Sequence, residues 1–110
     1  MAFQALVEDV GLADARNILA VFLSSNAQRL RAMQDSVSAG SHDDIAREAH
    51  SMKSAAAILG FAQLSEQARA LEMEAATLGH DDLVRRIVQL ATTFAKVEDS
   101  GRRMLEARKS

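Results

Sequence analysis

The run Ala49-His50-Ser51-Met52-Lys53-Ser54-Ala55-Ala56-Ala57-Ile58-Leu59-Gly60-Phe61-Ala62-Gln63-Leu64 decides the fold. Counted from Ile45, the residues Ile45, Ala49, Met52, Ala56 and Leu59 recur at steps of four and three, the period of one buried helical face. Gly60 breaks that helix. Leu64, Ala68, Leu71, Ala75 and Leu78 then repeat the same spacing, so a second helix follows with its own core seam.

Working outward, the same signals recur on both sides. Phe3, Leu6, Val7 and Val10 predict a short first helix that Gly11 ends. A longer pattern begins near Leu12 or Ala13 and runs to about Ala39, with Leu19, Leu23, Leu30 and Val37 in one stripe and Ile18, Phe22 and Met33 beside it. Its first half is apolar over a wide arc, which calls for two neighbours, and the short first helix is the obvious second one. Gly40 supplies a left-handed stop, and Ser41 with Asp44 predicts a capping box that restarts the chain. Gly79-His80-Asp81-Asp82 echoes that turn, with a glycine expected to close one helix and an acidic first turn opening the next. The last seam is Leu83, Ile87, Leu90, Phe94, Val97, Gly101 and Met104. Gly101 is expected to loosen or bend the final turns, and the tail Ala107-Arg108-Lys109-Ser110 to fray.

Four long helices joined by short turns must alternate up and down. The expected architecture is therefore all-α: an antiparallel up-and-down four-helix bundle with a short additional N-terminal helix, in a single domain over residues 1–110. Composition agrees. Proline is absent and Gly numbers only 5 in 110 residues, so little interrupts the helix formers. One core can form at this length, but not two.

Composition also narrows function. A formal net charge of -2 and the absence of Trp and Tyr argue against a nucleic-acid binder, which needs a basic face and stacking platforms. Without cysteine there is no disulfide, thiolate zinc site or thiol chemistry. No apolar run approaches the roughly 20 residues of a membrane span, and Met1-Ala2-Phe3-Gln4 lacks the marks of a signal peptide. A soluble, cytoplasmic monomer is expected, and the start at Met1 favours a free-standing protein.

His50 is the candidate for chemistry. With Ile45 at zero and about 100° per residue, the seam stays within roughly 40° of zero, Lys53 falls near 80° and His50 near 140°. Ala46, Ser54 and Ala57 share that flank. An imidazole outside the core, beside an ammonium and among truncated side chains, fits a nucleophile that meets a large partner. The plainer alternative is a surface histidine beside a surface lysine, and spacing alone does not separate the two.

The longer pattern does. His50-Ser51-Met52-Lys53 followed by Gly60 and Leu64 resembles the signature H-x-x-K-x-x-x-x-x-x-G-x-x-x-L of histidine-containing phosphotransfer (HPt) domains. Ala46-Arg47-Glu48-Ala49 and Ala70-Leu71-Glu72 are also typical of that family, so the resemblance covers essentially the whole chain. It implies a phosphorelay intermediate without kinase activity of its own, which carries a phosphoryl group to or from the aspartate of a receiver domain. The expected partners are response-regulator receiver domains, a hybrid histidine kinase, or both. His50 matches the phosphorylated histidine, Lys53 the lysine beside it, and Glu72 the residue that hydrogen-bonds one ring nitrogen. Ala46, Ser54, Ala57 and Gly60 are expected to border the docking partner. No cofactor is expected on this chain, with Mg²⁺ coming from the receiver.

The chemistry suits these residues. A neutral imidazole is a nucleophile near pH 7, an ammonium attracts phosphoryl oxygens, and phosphoryl transfer asks mainly for positioning and charge neutralisation. Two departures stand out. Ser54 occupies a position where the family usually has glycine, and Ala76 a position where some members carry a basic residue.

Rival classes have weaker support. Glu48-Ala49-His50 lacks the E-x-x-H spacing of diiron bundles, and H-E-x-x-H is missing. His42 and His80 sit at expected turns as surface or capping residues. The remaining alternative is a non-catalytic bundle that binds a signalling partner without phosphotransfer.

Overall fold

A computed structural model describes residues 2–107, which form five helices and no strand: α1 (Ala2–Val10), α2 (Leu12–Ala39), α3 (His42–Ile58), α4 (Ala62–Glu74) and α5 (His80–Ala107). The long helices α2 and α5, at 28 residues each, extend about 42 Å and set the length of a rod 47 × 20 × 17 Å. Helix α2 packs against α3 and α5, α4 against α3 and α5, and α1 lies on α2, closing a four-helix bundle with a leading helix. The expected architecture is the observed one. Of the expected tail, Arg108 to Ser110 lie outside the described residues.

The seams read from periodicity form the core. Ile45, Ala49, Met52, Ala56, Leu64, Ala68 and Leu71 are all essentially inaccessible, as are Leu19, Met33 and Leu90 on the long helices. Two turns are built on left-handed glycines. At Gly40 (φ 72°) and Gly60 (φ 78°) the next residue's N–H returns to the helix, from Ser41 to Ser36 and from Phe61 to Ala56, a pattern only a residue tolerant of positive φ completes cheaply. Phe61 then stacks on Phe22 of α2, ring centroids 5.3 Å apart, and ties the α3–α4 turn to the scaffold.

Five details depart from or add to what the sequence predicts. Helix α4 stops at Glu74 rather than near Leu78, and Gly79 has no positive φ; Thr77 and Leu78 instead donate their N–H groups to the Glu74 carbonyl. Ser41 and Asp44 form no capping box, because the Ser41 hydroxyl donates to the Asp44 carboxylate at 2.7 Å and neither side chain reaches backbone. Gly101 lies within the continuous helix α5. It lets α2 approach, since a Cβ there would lie 3.0 Å from Leu23 Cδ1. The wide apolar arc of α2 is only partly covered by α1, leaving Ile18 and Val21 exposed. Asn26, absent from the expected seam, is buried and donates through Nδ2 to the Phe22 carbonyl at 2.8 Å.

Candidate functional site: the His50, Lys53 and Glu72 cluster

Helix α3 carries His50 and Lys53 one turn apart, and α4 runs antiparallel beside it with Glu72 on the facing flank. Small buried residues, Ala49 and Ala56 on α3 and Ala68 on α4, keep the two backbones close enough for side chains on the flank to meet. They do meet. His50 Nδ1 lies 2.6 Å from Glu72 Oε2, and Lys53 Nζ lies 2.7 Å from Glu72 Oε1. One carboxylate thus holds both α3 side chains, each on its own oxygen.

The partner decides the proton. An ionised carboxylate only accepts, so His50 Nδ1 carries hydrogen and donates it, which leaves Nε2 with the lone pair in the neutral ring. The His50 side chain is 59% exposed, against 27% for Lys53 and 26% for Glu72. The ring therefore presents itself to solvent while the groups that hold it are half-buried. The Glu72 carboxyl is held below the usual range, first by the hydrogen bond from Lys53, against some desolvation, and further by the one from His50. Glu72 stays an acceptor wherever the protein is folded near neutral pH.

The surroundings are low and lightly charged. Ala57, Ser54 and Gly60 are exposed and Ala46 is half-buried, so the expected docking positions all reach the surface. The Ser54 hydroxyl donates back to the His50 carbonyl at 3.2 Å, so it lies along the helix rather than standing above it. Serine in place of glycine adds little height at this point. Ala76 is exposed, and the nearest arginine on α4, Arg69, is paired with Glu66 and touches the Met73 sulfur. Lys53 is the cation seated on Glu72.

Two exposed apolar residues on α3 and α4 were not singled out from the sequence. Ile58 and Met73 are the most exposed of the large hydrophobic residues, at 70% and 69%. The angular count that placed His50 also finds them: Ile58 falls near 220° from Ile45, and Met73 near 180° from Leu64. Neither can face the core. The two remaining histidines sit at helix starts. His42 Nδ1 donates to the Ala75 carbonyl at 2.5 Å, capping the end of α4, and His80 is exposed. Among the described residues no group of three or more His, Cys, Asp or Glu side chains could hold a metal ion.

A family model described as the Hpt domain matches residues 17–102. The chain belongs to the Hpt domain family. It is accordingly a histidine phosphotransfer protein of two-component phosphorelays, in which Hpt domains work with receiver domains and histidine kinases. The fold of this Hpt domain is similar to the crystal structure of histidine-containing phosphotransfer protein B (HptB) from Pseudomonas aeruginosa PAO1. The TM-score is 0.89 at 21% identity, over 98% of this chain and 93% of that one. No curated protein matches the chain. Among the described residues no helix is long and apolar enough to cross a membrane.

Proposed function

We propose that His50 is the phosphoryl carrier of this Hpt domain, with Nε2 as its nucleophilic atom. Nε2 attacks the phosphorus of a receiver's aspartyl phosphate; the N–P bond forms as the P–O bond to the aspartate breaks, and the aspartate leaves as carboxylate. The Nδ1 proton stays on the ring, where the Glu72 carboxylate offsets the positive charge that phosphorylation creates. Lys53 neutralises part of the phosphoryl charge. Mg²⁺ is supplied by the receiver. The reverse reaction uses the same contacts.

The observation that carries this reading is the double grip of Glu72, 2.6 Å from His50 and 2.7 Å from Lys53. A carboxylate on Nδ1 favours the tautomer with Nε2 unprotonated, on a ring whose side chain is 59% exposed and whose partner Glu72 also holds a cation. Ala46, Ser54, Ala57 and Gly60, flanked by Ile58 and Met73, form the docking rim for the receiver. The chain acts as a cytoplasmic monomer, and its net charge of -2 speaks against nucleic acid as a partner.

The test is to incubate the protein with a phosphorylated receiver and Mg²⁺ and follow acid-labile, alkali-stable label. Label on the wild type and none on His50→Gln is expected. Equal label on both would refute the assignment of His50, and receiver binding without any label would favour a pure interaction module.

A further inference from the structure

A hydroxyl two helical turns before Glu72 also touches α3. Ser65 Oγ donates to the main-chain carbonyl oxygen of Lys53 at 2.9 Å. Among the described residues this is the one hydrogen bond from an α4 side chain to the α3 backbone. Lys53 is therefore held at both ends, its carbonyl by Ser65 and its ammonium by Glu72.

We propose that Ser65 is a positioning residue for phosphotransfer: it sets the register of α4 against α3, so that Glu72 meets His50 and Lys53 together. This rests on the reading of His50 as the phosphoryl carrier oriented by Glu72.

Apolar packing alone leaves the register of α4 on α3 undetermined. The α3–α4 contact is lined by Ala49, Met52, Ala56, Leu64, Ala68 and Leu71. Burial is non-directional, and alanine-rich faces are smooth, so a small slide or roll of one helix on the other costs little burial. The site tolerates no such slide, because hydrogen bonds of 2.6 Å and 2.7 Å lose strength steeply with displacement and angle. A directional contact is needed near the carboxylate. Ser65 lies seven residues before Glu72, roughly 20° from it around the helix and about 10.5 Å along it, so both side chains face α3. A backbone carbonyl has two lone pairs, and the second can accept Ser65 without loss of the helical hydrogen bond. Binding to main chain rather than to a mobile side chain refers Glu72 to the rigid part of α3.

The experiment compares wild type, Ser65→Ala and Ser65→Thr in the full chain. Circular dichroism checks the fold, ¹⁵N NMR of the His50 ring reads the tautomer, and label transfer from a phosphorylated receiver gives the maximal rate and KM. The expected result for Ser65→Ala is an intact helical fold, a smaller share of the Nδ1–H tautomer, and a maximal rate lowered roughly fivefold, on the scale of one hydrogen bond. KM should be unchanged, because the docking rim is untouched. Ser65→Thr, which keeps the hydroxyl, should restore both tautomer and rate.

A wild-type tautomer ratio in Ser65→Ala, or a loss that Ser65→Thr does not restore, would overturn the proposal. The tautomer measurement involves no phosphate and so judges Ser65 by itself. Failure of the wild type to take label at His50 would instead count against the phosphoryl-carrier reading.

Discussion

Helices α3 and α4 bury alanines between their larger residues, with Ala49, Ala56 and Ala68 beside Met52, Leu64 and Leu71. The long pair α2 and α5 buries Leu19, Phe22 and Met33 on one side and Ile87, Leu90 and Phe94 on the other. The first arrangement brings two backbones near enough for a histidine, a lysine and a glutamate to meet on the flank. The second fills volume over 28 residues per helix and keeps the rod together. Each buried alanine removes less apolar area from water than a leucine, phenylalanine or methionine, so Ala49, Ala56 and Ala68 contribute proximity more than burial. Phe61 on Phe22 joins the two regions at the turn that positions α4.

That division of labour can be broken at either end. Phe94→Ala in the scaffold should cost about 3–5 kcal/mol of stability in a denaturant melt. Transfer by the fraction still folded should keep its wild-type rate; a slowed folded fraction would show that the scaffold also shapes the site. Glu72→Ala should do the reverse. It removes two charge-assisted contacts and should slow transfer on the order of 10²-fold, with the unfolding midpoint barely moved.

Lys53→Ala should give a smaller loss, roughly tenfold, because the ring keeps its orientation on Glu72 while the phosphoryl loses one cation. An unchanged rate would reduce Lys53 to a surface charge that merely balances Glu72. The smallest effect is one of pH. The folded Glu72 carboxyl lies below its ordinary value, chiefly through Lys53, so its contribution to stability is present above the unfolded pKa of about 4.3 and disappears as pH falls through the folded value. The stability of wild type should therefore drop more steeply below about pH 4 than that of Glu72→Gln. Parallel curves for the two would mean that the bridge does not form in solution.

Much of this was legible in the sequence, and the reasons are specific. The seams from Ile45 to Leu59 and from Leu83 to Val97 alternate at helical spacing without exception, so the angle of His50 relative to the core follows from counting. Glu72 comes from the family resemblance; counting adds only that it lies about 80° from the Leu64 seam, on a flank compatible with facing His50. The end of α4 was not legible, because Ala75 and Leu78 continue the apolar spacing although the chain has left the helix at Glu74. The capping box failed because the Ser41 and Asp44 side chains satisfy each other. Asn26 and Ser65 carry no sequence signal, since the meaning of each lies in what stands around it, on its own helix for Asn26 and across the bundle for Ser65.

Phosphotransfer as proposed depends on one atom, His50 Nε2, being left free by Glu72. The most direct measurement is NMR of the ¹⁵N-labelled protein after phosphorylation by a receiver phosphate, reading which ring nitrogen is coupled to phosphorus. The expected spectrum has phosphorus on Nε2 of His50, with Nδ1 still protonated and hydrogen-bonded. Phosphorus on Nδ1, or on any other residue, would contradict it.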